Sequence, residues 1–254
     1  MKLKKIASLM LAGVMAVSML AGCSTTSVDP TPEQPEEPTN PSTGYSAMLQ
    51  SKLSPHANSS ITLSDDTDLN NALNYAGGYV GHSTISNNFL HDVLDGRGVA
   101  NYVDQGLRAE LDALEVAMDY LNDALDTKVV NNGDVKAYDQ IMKLDPWAGR
   151  NNPSNPAYYE KDDVNTVLLY VVDGSVQMEN VMDEVANDVD KAIKNLTEIG
   201  DSNDLDGENI YQGGTYGDSE FSYTGSVAVY NDVYEAGHGV SISLVAVEIV
   251  RHIA

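Results

Sequence analysis

Cysteine, basic residues and aromatic residues other than tyrosine are scarce in this chain. Its 254 residues include one cysteine, one tryptophan and two phenylalanines. A single cysteine excludes an intramolecular disulfide, so the folded part must be held together by its core. The 14 lysines and arginines face 38 acids, and so negative a surface repels nucleic acid and anionic lipid heads. The composition therefore argues against nucleic acid as a partner.

The first residues have the pattern of an export signal. Lys2, Lys4 and Lys5 precede an apolar run from Ile6 to Ala21. A charged start, a short apolar segment and small residues before a cut are typical of a signal peptide. The run is also short for a membrane span, which needs about 20 residues. We predict a signal peptide at 1–22, with an ordinary cleaved signal or an uncleaved anchor as alternatives to lipid attachment.

The four residues Leu20-Ala21-Gly22-Cys23 resemble the lipobox of bacterial lipoprotein precursors. The resemblance implies that Cys23 is lipidated and becomes the first residue of the mature protein. Its acyl chains would anchor the protein to a membrane of the bacterial cell envelope, outside the cytoplasm. Processing would remove three lysines and no acid, leaving 11 basic residues against 38 acids and a formal net charge of −27.

The next segment is rich in proline. Residues 23–44 hold five of the nine prolines, separated mainly by serine, threonine and glutamate. Such a chain is extended, at about 3 Å per residue, and could hold a domain on the order of 60 Å from the membrane. We predict a Pro-rich tether at 23–44 and a single globular domain at 45–254, with a sub-boundary near 145–160 as an option.

Helical periodicity dominates the first part of that domain. Between 101 and 127 apolar residues recur at steps of three and four, which predicts an amphipathic helix. The apolar stripe is Val103, Leu107, Leu111, Leu114, Met118, Leu121 and Leu125. Shorter helices are predicted at 46–53, 69–76, 87–95 and 134–144. Asp68 is the expected N-cap of the second of these, and Gly77-Gly78 its expected end.

Residues 162–199 fit two structures. One is a single helix, which would be unusually long and would place Gly174 in its interior at a cost of about 1 kcal/mol. The other is a buried strand over Val164–Val172, a turn at Asp173-Gly174, and a helix capped by Ser175 that runs to Ile199. We favour the second structure, in which Gly200 would follow the helix end.

After residue 219 the apolar period changes to two. Alternation over 221–229 and again over 240–246, with Gly237 and Gly239 between, predicts a β-hairpin. A helix starting at Ser241 competes with the second strand. We therefore expect an α+β fold, with a helix-dominated N-terminal region and a small antiparallel or mixed C-terminal sheet; the alternative is an all-α bundle.

One acidic loop is the candidate metal site. Calcium loops place oxygen ligands at alternating positions and a glycine at the sixth. With Ser202 as the first position, Gly207 falls at the sixth, but Gly213 occupies the twelfth, where a glutamate should stand. The loop is thus a fragment of an EF-hand-like pattern, and an ordinary acidic turn is the alternative. No other cofactor is indicated. The candidate calcium ligands are Asp201, Asn203, Asp204, Asp206 and Glu208.

Tyrosine is abundant, with 14 copies. Five of them cluster near the C-terminus among glycine, serine, asparagine and aspartate, a mixture typical of recognition surfaces. The alternative is that these tyrosines are half-buried strand residues. The cluster is Tyr211, Tyr216, Tyr223, Tyr230 and Tyr234.

No catalytic motif stands out in the sequence. The five histidines lack the HExxH spacing of zinc peptidases, and no GxSxG or P-loop occurs. A triad remains open, because its members need not be close in sequence. We expect a lipid-anchored binding or adhesion module for a protein or carbohydrate ligand. The alternative is a cell-surface hydrolase of wall or host polymers, supported by calcium.

Overall fold

The computed structural model describes residues 44–80, 99–101, 112–131, 136–145, 163–198, 221–234 and 240–253. The chain divides into two units, 1–39 and 40–254, and every described residue belongs to the second. The predicted signal peptide, Cys23 and all of the tether except Gly44 therefore lie outside the described residues. None of the described helices is both long and apolar enough to cross a bilayer.

Helices and strands both contribute to the described part of the chain. The helices are α1 (Tyr45–Lys52), α2 (Pro55–Ser60), α3 (Thr67–Val80), α4 (Asp112–Ala124), α5 (Ala137–Met142) and α6 (Met178–Ile193). The strands are β1 (Ile61–Leu63), β2 (Val99–Asn101), β3 (Val164–Asp173), β4 (Phe221–Tyr234) and β5 (Val240–Ile253).

The five strands form one mixed sheet in the order β1-β4-β5-β3-β2. β1 runs parallel to β4, and the other neighbours are antiparallel. β4 and β5 form a long hairpin in which Phe221 faces Ile253 and Tyr234 faces Val240. The predicted α+β class and the predicted hairpin are confirmed. The all-α bundle and the helix from Ser241 are wrong, because these residues pair across the sheet along their whole length.

Helices cover both faces of the sheet. We call the side covered by α1, α2, α5 and α6 the first face, where Leu49, Ala57, Ile141 and Val185 belong to one buried cluster. We call the side covered by α3 and α4 the second face, where residues such as Leu73 join another. The sheet therefore lies in the middle of a three-layer structure.

β3 lies between the two cores, and this explains its composition. Val164 and Leu168 belong to the core of the first face, whereas Val167 and Leu169 belong to that of the second. A strand buried on both faces reads as a continuous apolar run. The strand predicted for 164–172 is confirmed, and the single long helix over 162–199 is wrong.

The start of α6 differs from the prediction. The N-cap is Gln177, and the helix ends at Ile193 with Lys194 as its C-cap. Ser175 is not the cap, because its backbone N–H donates to Asp173 Oδ1 at 2.8 Å and so belongs to the turn after β3. The predicted end at Ile199 is wrong, because the chain leaves the helix after Ile193 and the Thr197 N–H donates to Asp145 Oδ2 instead of continuing the helix. The predicted cap at Gly200 lies outside the described residues.

α3 is longer than predicted. Its first turn is capped by Asp66, whose Oδ1 accepts from the Leu69 N–H at 2.8 Å, so the prediction of Asp68 as the cap is wrong. The helix continues through Gly77-Gly78 to Val80, which is buried in the core of the second face. Burial of that last turn outweighs the low helix propensity of two glycines.

The remaining helix predictions are confirmed in part. α1 matches the helix predicted for 46–53, and α5 lies inside the one predicted for 134–144. The predicted helix at 101–127 is confirmed only over α4, since Asn101 belongs to β2 and residues 102–111 lie outside the described ones. The predicted helix at 87–95 and most of the possible sub-boundary at 145–160 also lie outside them.

Gly77 and Gly78 provide a matched test of this packing. A β-carbon at Gly77 would overlap the Tyr230 ring, which packs directly against the α3 backbone, whereas one at Gly78 would meet nothing within 4 Å. We expect Gly77→Ala to lower the free energy of unfolding by about 1–3 kcal/mol, the usual cost of overpacking. Urea denaturation followed by circular dichroism measures it.

Gly78→Ala is the control, because it makes the same chemical change one residue further along the helix. It should leave stability unchanged or raise it by up to about 1 kcal/mol through helix propensity. Equal effects of the two substitutions would show that Tyr230 does not pack on Gly77 as described.

Candidate functional site

The outer surface of α3 exposes two tyrosine rings. Leu69, Leu73 and Val80 point into the core of the second face, so the opposite side of the helix faces solvent. Tyr75 and Tyr79 lie on that side, one turn apart, and are 65% and 52% exposed. Exposure of two large rings on one helix stripe is unusual for a side chain with so much apolar surface.

α4 adds a third ring and an apolar side chain to the same surface. The Tyr120 ring stacks on that of Tyr75, with centroids 4.4 Å apart and planes 26° from parallel. Val116, one turn before Tyr120, is 44% exposed. We call Tyr75, Tyr79, Tyr120 and Val116 the tyrosine patch. The stack holds two of its rings in a fixed orientation, because each ring limits the rotation of the other.

The tyrosine patch has acidic neighbours. Asp68 lies on the exposed stripe of α3 that carries Tyr75, and Asp119 and Asp123 lie on the exposed side of α4 beside Tyr120. Glu115 is a further exposed acid on α4. Neither helix contains a lysine, arginine or histidine. Every charged residue that these two helices contribute is therefore an acid.

A second candidate site lies on the second face, near the end of β5. His252 of β5 stands between Thr224 of β4 and Asp163, which directly precedes β3. Its Nδ1 is 2.7 Å from Asp163 Oδ2, and its Nε2 is 2.7 Å from Thr224 Oγ1. With the proton on Nδ1, the ring donates to Asp163 and accepts from the Thr224 hydroxyl. This is the arrangement of a hydroxyl–His–Asp triad.

The strand position of Thr224 limits what this relay can do. Thr224 lies inside β4, opposite Thr62 of β1 on one side and Val250 of β5 on the other. Backbone N–H groups around it serve the sheet, whereas acyl transfer needs free donors for an oxyanion. Among the described residues the geometry supplies a polarised hydroxyl and a base, but no donors for the oxyanion.

Glu248 continues the same polar row toward the helices. It is half-buried and accepts from Asn165 Nδ2 at 2.7 Å, while Asn165 also donates to the Leu125 carbonyl at 3.1 Å, just after α4. Burial raises the pKa of Glu248, and the charges of Asp66 and Asp68 raise it further, against the lowering effect of the Asn165 hydrogen bond. The carboxyl is therefore costly to ionise in the folded state.

Tyr223 belongs to the core and not to a recognition surface. It is 3% exposed, and its hydroxyl donates to the Thr197 carbonyl at 2.7 Å. Asp145 accepts from both the N–H and the hydroxyl of Thr197, and the buried Arg251 donates to the Leu144 carbonyl at 3.0 Å. These bonds join the start of β4 and the end of β5 to the helices of the first face.

The predicted tyrosine cluster is wrong as one surface. Tyr223 points into the first face, while Tyr230 is half-buried in the second, against Gly77. Only the backbone of Tyr234 is described, in β4. Tyr211 and Tyr216 lie outside the described residues.

The other predicted site residues also lie outside the described part. These are Cys23 and the candidate calcium ligands Asp201, Asn203, Asp204, Asp206 and Glu208. Among the described residues, no group of three or more His, Cys, Asp or Glu side chains could hold a metal ion. Calcium binding by the 201–208 loop therefore stays a prediction.

Sequence reasoning overlooked the tyrosine patch, although a signal was present. Tyr75 and Tyr79 are four residues apart, opposite the apolar stripe Leu69, Leu73 and Val80. Tyrosines repeating on the polar side of an amphipathic helix indicate exposed rings. The His252 relay had no such signal, since its members are separated by 28 and 89 positions.

Comparison with known proteins adds no relative. No protein-family model, curated protein or solved structure matches the chain significantly.

Glu248 predicts a pH dependence of stability. A carboxyl with a raised pKa in the folded state favours folding while it is protonated, and this advantage is lost as pH rises. Glu248→Gln cannot ionise and can keep the bond from Asn165. From pH 4 to pH 7 the variant should therefore gain stability relative to wild type, as measured by urea denaturation.

Glu115→Gln, at an exposed position on α4, controls for the loss of one charge. A pH-independent difference between Glu248→Gln and wild type would contradict the burial argument.

Proposed function

We propose that the chain is a lipid-anchored protein of the bacterial cell envelope whose folded domain is a non-enzymatic binding module. The lipobox resemblance at Cys23 and the Pro-rich tether support the anchor and the reach of the domain. The exposed, stacked tyrosines of α3 and α4 support the binding role. That tyrosine patch is the observation on which the proposal rests, because contiguous exposed rings commonly mark interaction sites.

Tyrosine suits this role for a physical reason. Its ring offers a flat apolar surface with a hydrogen-bonding end, and it loses little conformational freedom on binding. The Tyr75–Tyr120 stack reduces that loss further, since both rings are already ordered.

The proposal predicts that a partner covers the tyrosine patch on intact cells. Cells displaying the full chain are iodinated with a membrane-impermeant reagent, and labelled peptides are quantified by mass spectrometry. Tyr75 and Tyr79 should be labelled in the purified protein but protected on cells. Half-buried Tyr138, on the first face, gives the reference for reagent access.

Two results would contradict this proposal. If the ratio of Tyr75 labelling to Tyr138 labelling is the same on cells and in purified protein, nothing occupies the tyrosine patch.

The lipid anchor has a separate test. The variant Cys23→Ser should lose membrane attachment, because it has no thiol to acylate. Unchanged sedimentation of that variant with membranes would refute the lipid anchor.

A second candidate function is hydrolysis of wall or host polymers, favoured by the His252 relay. Thr224 Oγ1 would attack an ester carbonyl and pass its proton to His252 Nε2, while Asp163 holds Nδ1–H. The proton would then go to the departing alcohol, and water would release the acyl group from Thr224. We rank this function second, because the described residues around Thr224 provide no hydrogen-bond donors for the oxyanion.

The hydrolase candidate predicts measurable esterase activity with p-nitrophenyl acetate. His252→Gln should lower the rate about a hundredfold or more, because it removes the general base. His56→Gln is the matched control, since His56 is exposed on α2, at the first face. A wild-type rate equal to that of His252→Gln would exclude this candidate.

A further inference from the structure

We propose that the tyrosine patch binds a cationic, lysine- or arginine-rich segment of a partner polypeptide. The inference rests on the proposed function, because it names the class of partner for the same surface. The acids around the rings and the cation–ring contacts elsewhere in the fold support it.

Basic residues are distributed unequally between the two faces. At the first face, Lys52 pairs with Glu179 and Asp183, and Lys194 pairs with Asp190. The helices of the second face carry acids and no base. Among the described residues, no ion pair engages the exposed acids of this surface, which are Asp68, Glu115, Asp119 and Asp123.

The acids of α4 are neighbours of the patch residues on the helix surface. Asp123 lies three residues after Tyr120, and Asp119 lies three residues after Val116 and four before Asp123. Asp68 extends the stripe of Tyr75 on α3. A cation above a tyrosine ring is attracted by the ring, and a carboxylate within a few ångströms adds to that attraction. Rings and acids together therefore favour a cationic ligand over an anionic one.

Cation–ring contacts already occur elsewhere in the fold. The ammonium of Lys191 lies 5.1 Å from the centroid of the Tyr138 ring, and the Arg251 guanidinium lies 5.5 Å from that of Phe221. Both distances are within the range of a cation–π interaction. The tyrosine patch offers the same half of such a contact, with no base on its own helices to complete it.

A neutral sugar is the competing ligand, because sugar faces also stack on tyrosine. Stacking of a sugar requires the rings but gains nothing from Asp119 or Asp123 as charges. Dependence on these carboxylates and on ionic strength therefore separates the two ligands.

The test is fluorescence anisotropy of a labelled octalysine peptide titrated with the full chain in non-ionic detergent. A labelled octaglutamate peptide is titrated separately, and a neutral maltohexaose serves as the competitor. We expect octalysine to bind and to be released by salt, octaglutamate not to bind, and maltohexaose not to displace octalysine. Tyr75→Ser should weaken binding about two- to fivefold, as loss of one exposed cation–ring contact implies, whereas Tyr75→Phe should retain it.

Matched charge variants separate this site from attraction to the acidic chain as a whole. Asp119→Asn and Asp123→Asn should each weaken binding, while Asp139→Asn, which removes one exposed acid of α5 at the first face, should not. Equal weakening by Asp119→Asn and Asp139→Asn would overturn the proposal, as would displacement by maltohexaose. If Tyr75→Ser does not fold, Tyr79→Ser takes its place, with folding checked by circular dichroism.

The outcomes also separate this inference from the proposed function. Absence of octalysine binding, together with protection of Tyr75 on cells, would refute the cationic partner and leave the binding module standing. Absence of both would refute the binding role of the tyrosine patch itself.

Discussion

The burial of β3 and β5 on both faces is the constraint on which the rest of the structure depends. Val164 and Leu168 face one core, and Val167 and Leu169 face the other. Water cannot be admitted to either side of such a strand, so helices must cover both. Six helices share this task among the described residues, and the longest of them, α3 and α6, lie on opposite faces.

The two candidate sites follow from how the second face is covered. α3 and α4 protect one end of that face, and their outer sides form the tyrosine patch. Thr224, His252 and Asp163 lie together elsewhere on this face and are partly accessible to solvent. The tyrosine patch and the hydrogen-bonded residues Thr224, His252 and Asp163 therefore occupy separate places on the second face.

The fold also separates the structural polar groups from the candidate sites. Arg251, Asp145 and Tyr223 lie on the first face and join strand ends to helices through buried hydrogen bonds. His252, next to Arg251 in the chain, points to the opposite face because successive strand residues alternate. One residue step in β5 therefore divides a buried structural role from a solvent-accessible one.

Much of the fold was accessible from local patterns. The apolar run of β3, the period of two in β4 and β5, and the apolar stripes of α4 and α6 all predicted the elements that form. Boundaries were less accessible: Ser175 and Asp68 have good capping side chains, yet Gln177 and Asp66 hold those places. Packing of a whole helix decides where it starts, and a propensity of a fraction of a kcal/mol cannot override it.

Local sequence patterns favoured the α+β class over an all-α bundle, and they established the acidic character and the resemblance of the first residues to a lipobox, because each depends on composition or on neighbours in the chain. Which tyrosines are exposed became known from the folded chain alone. Tyr223 and Tyr75 are the same residue type in polar surroundings, but one faces a core and the other faces water. The tertiary structure also brought Asp163 and Thr224 to His252, since contacts between distant residues arise from strand register and not from spacing.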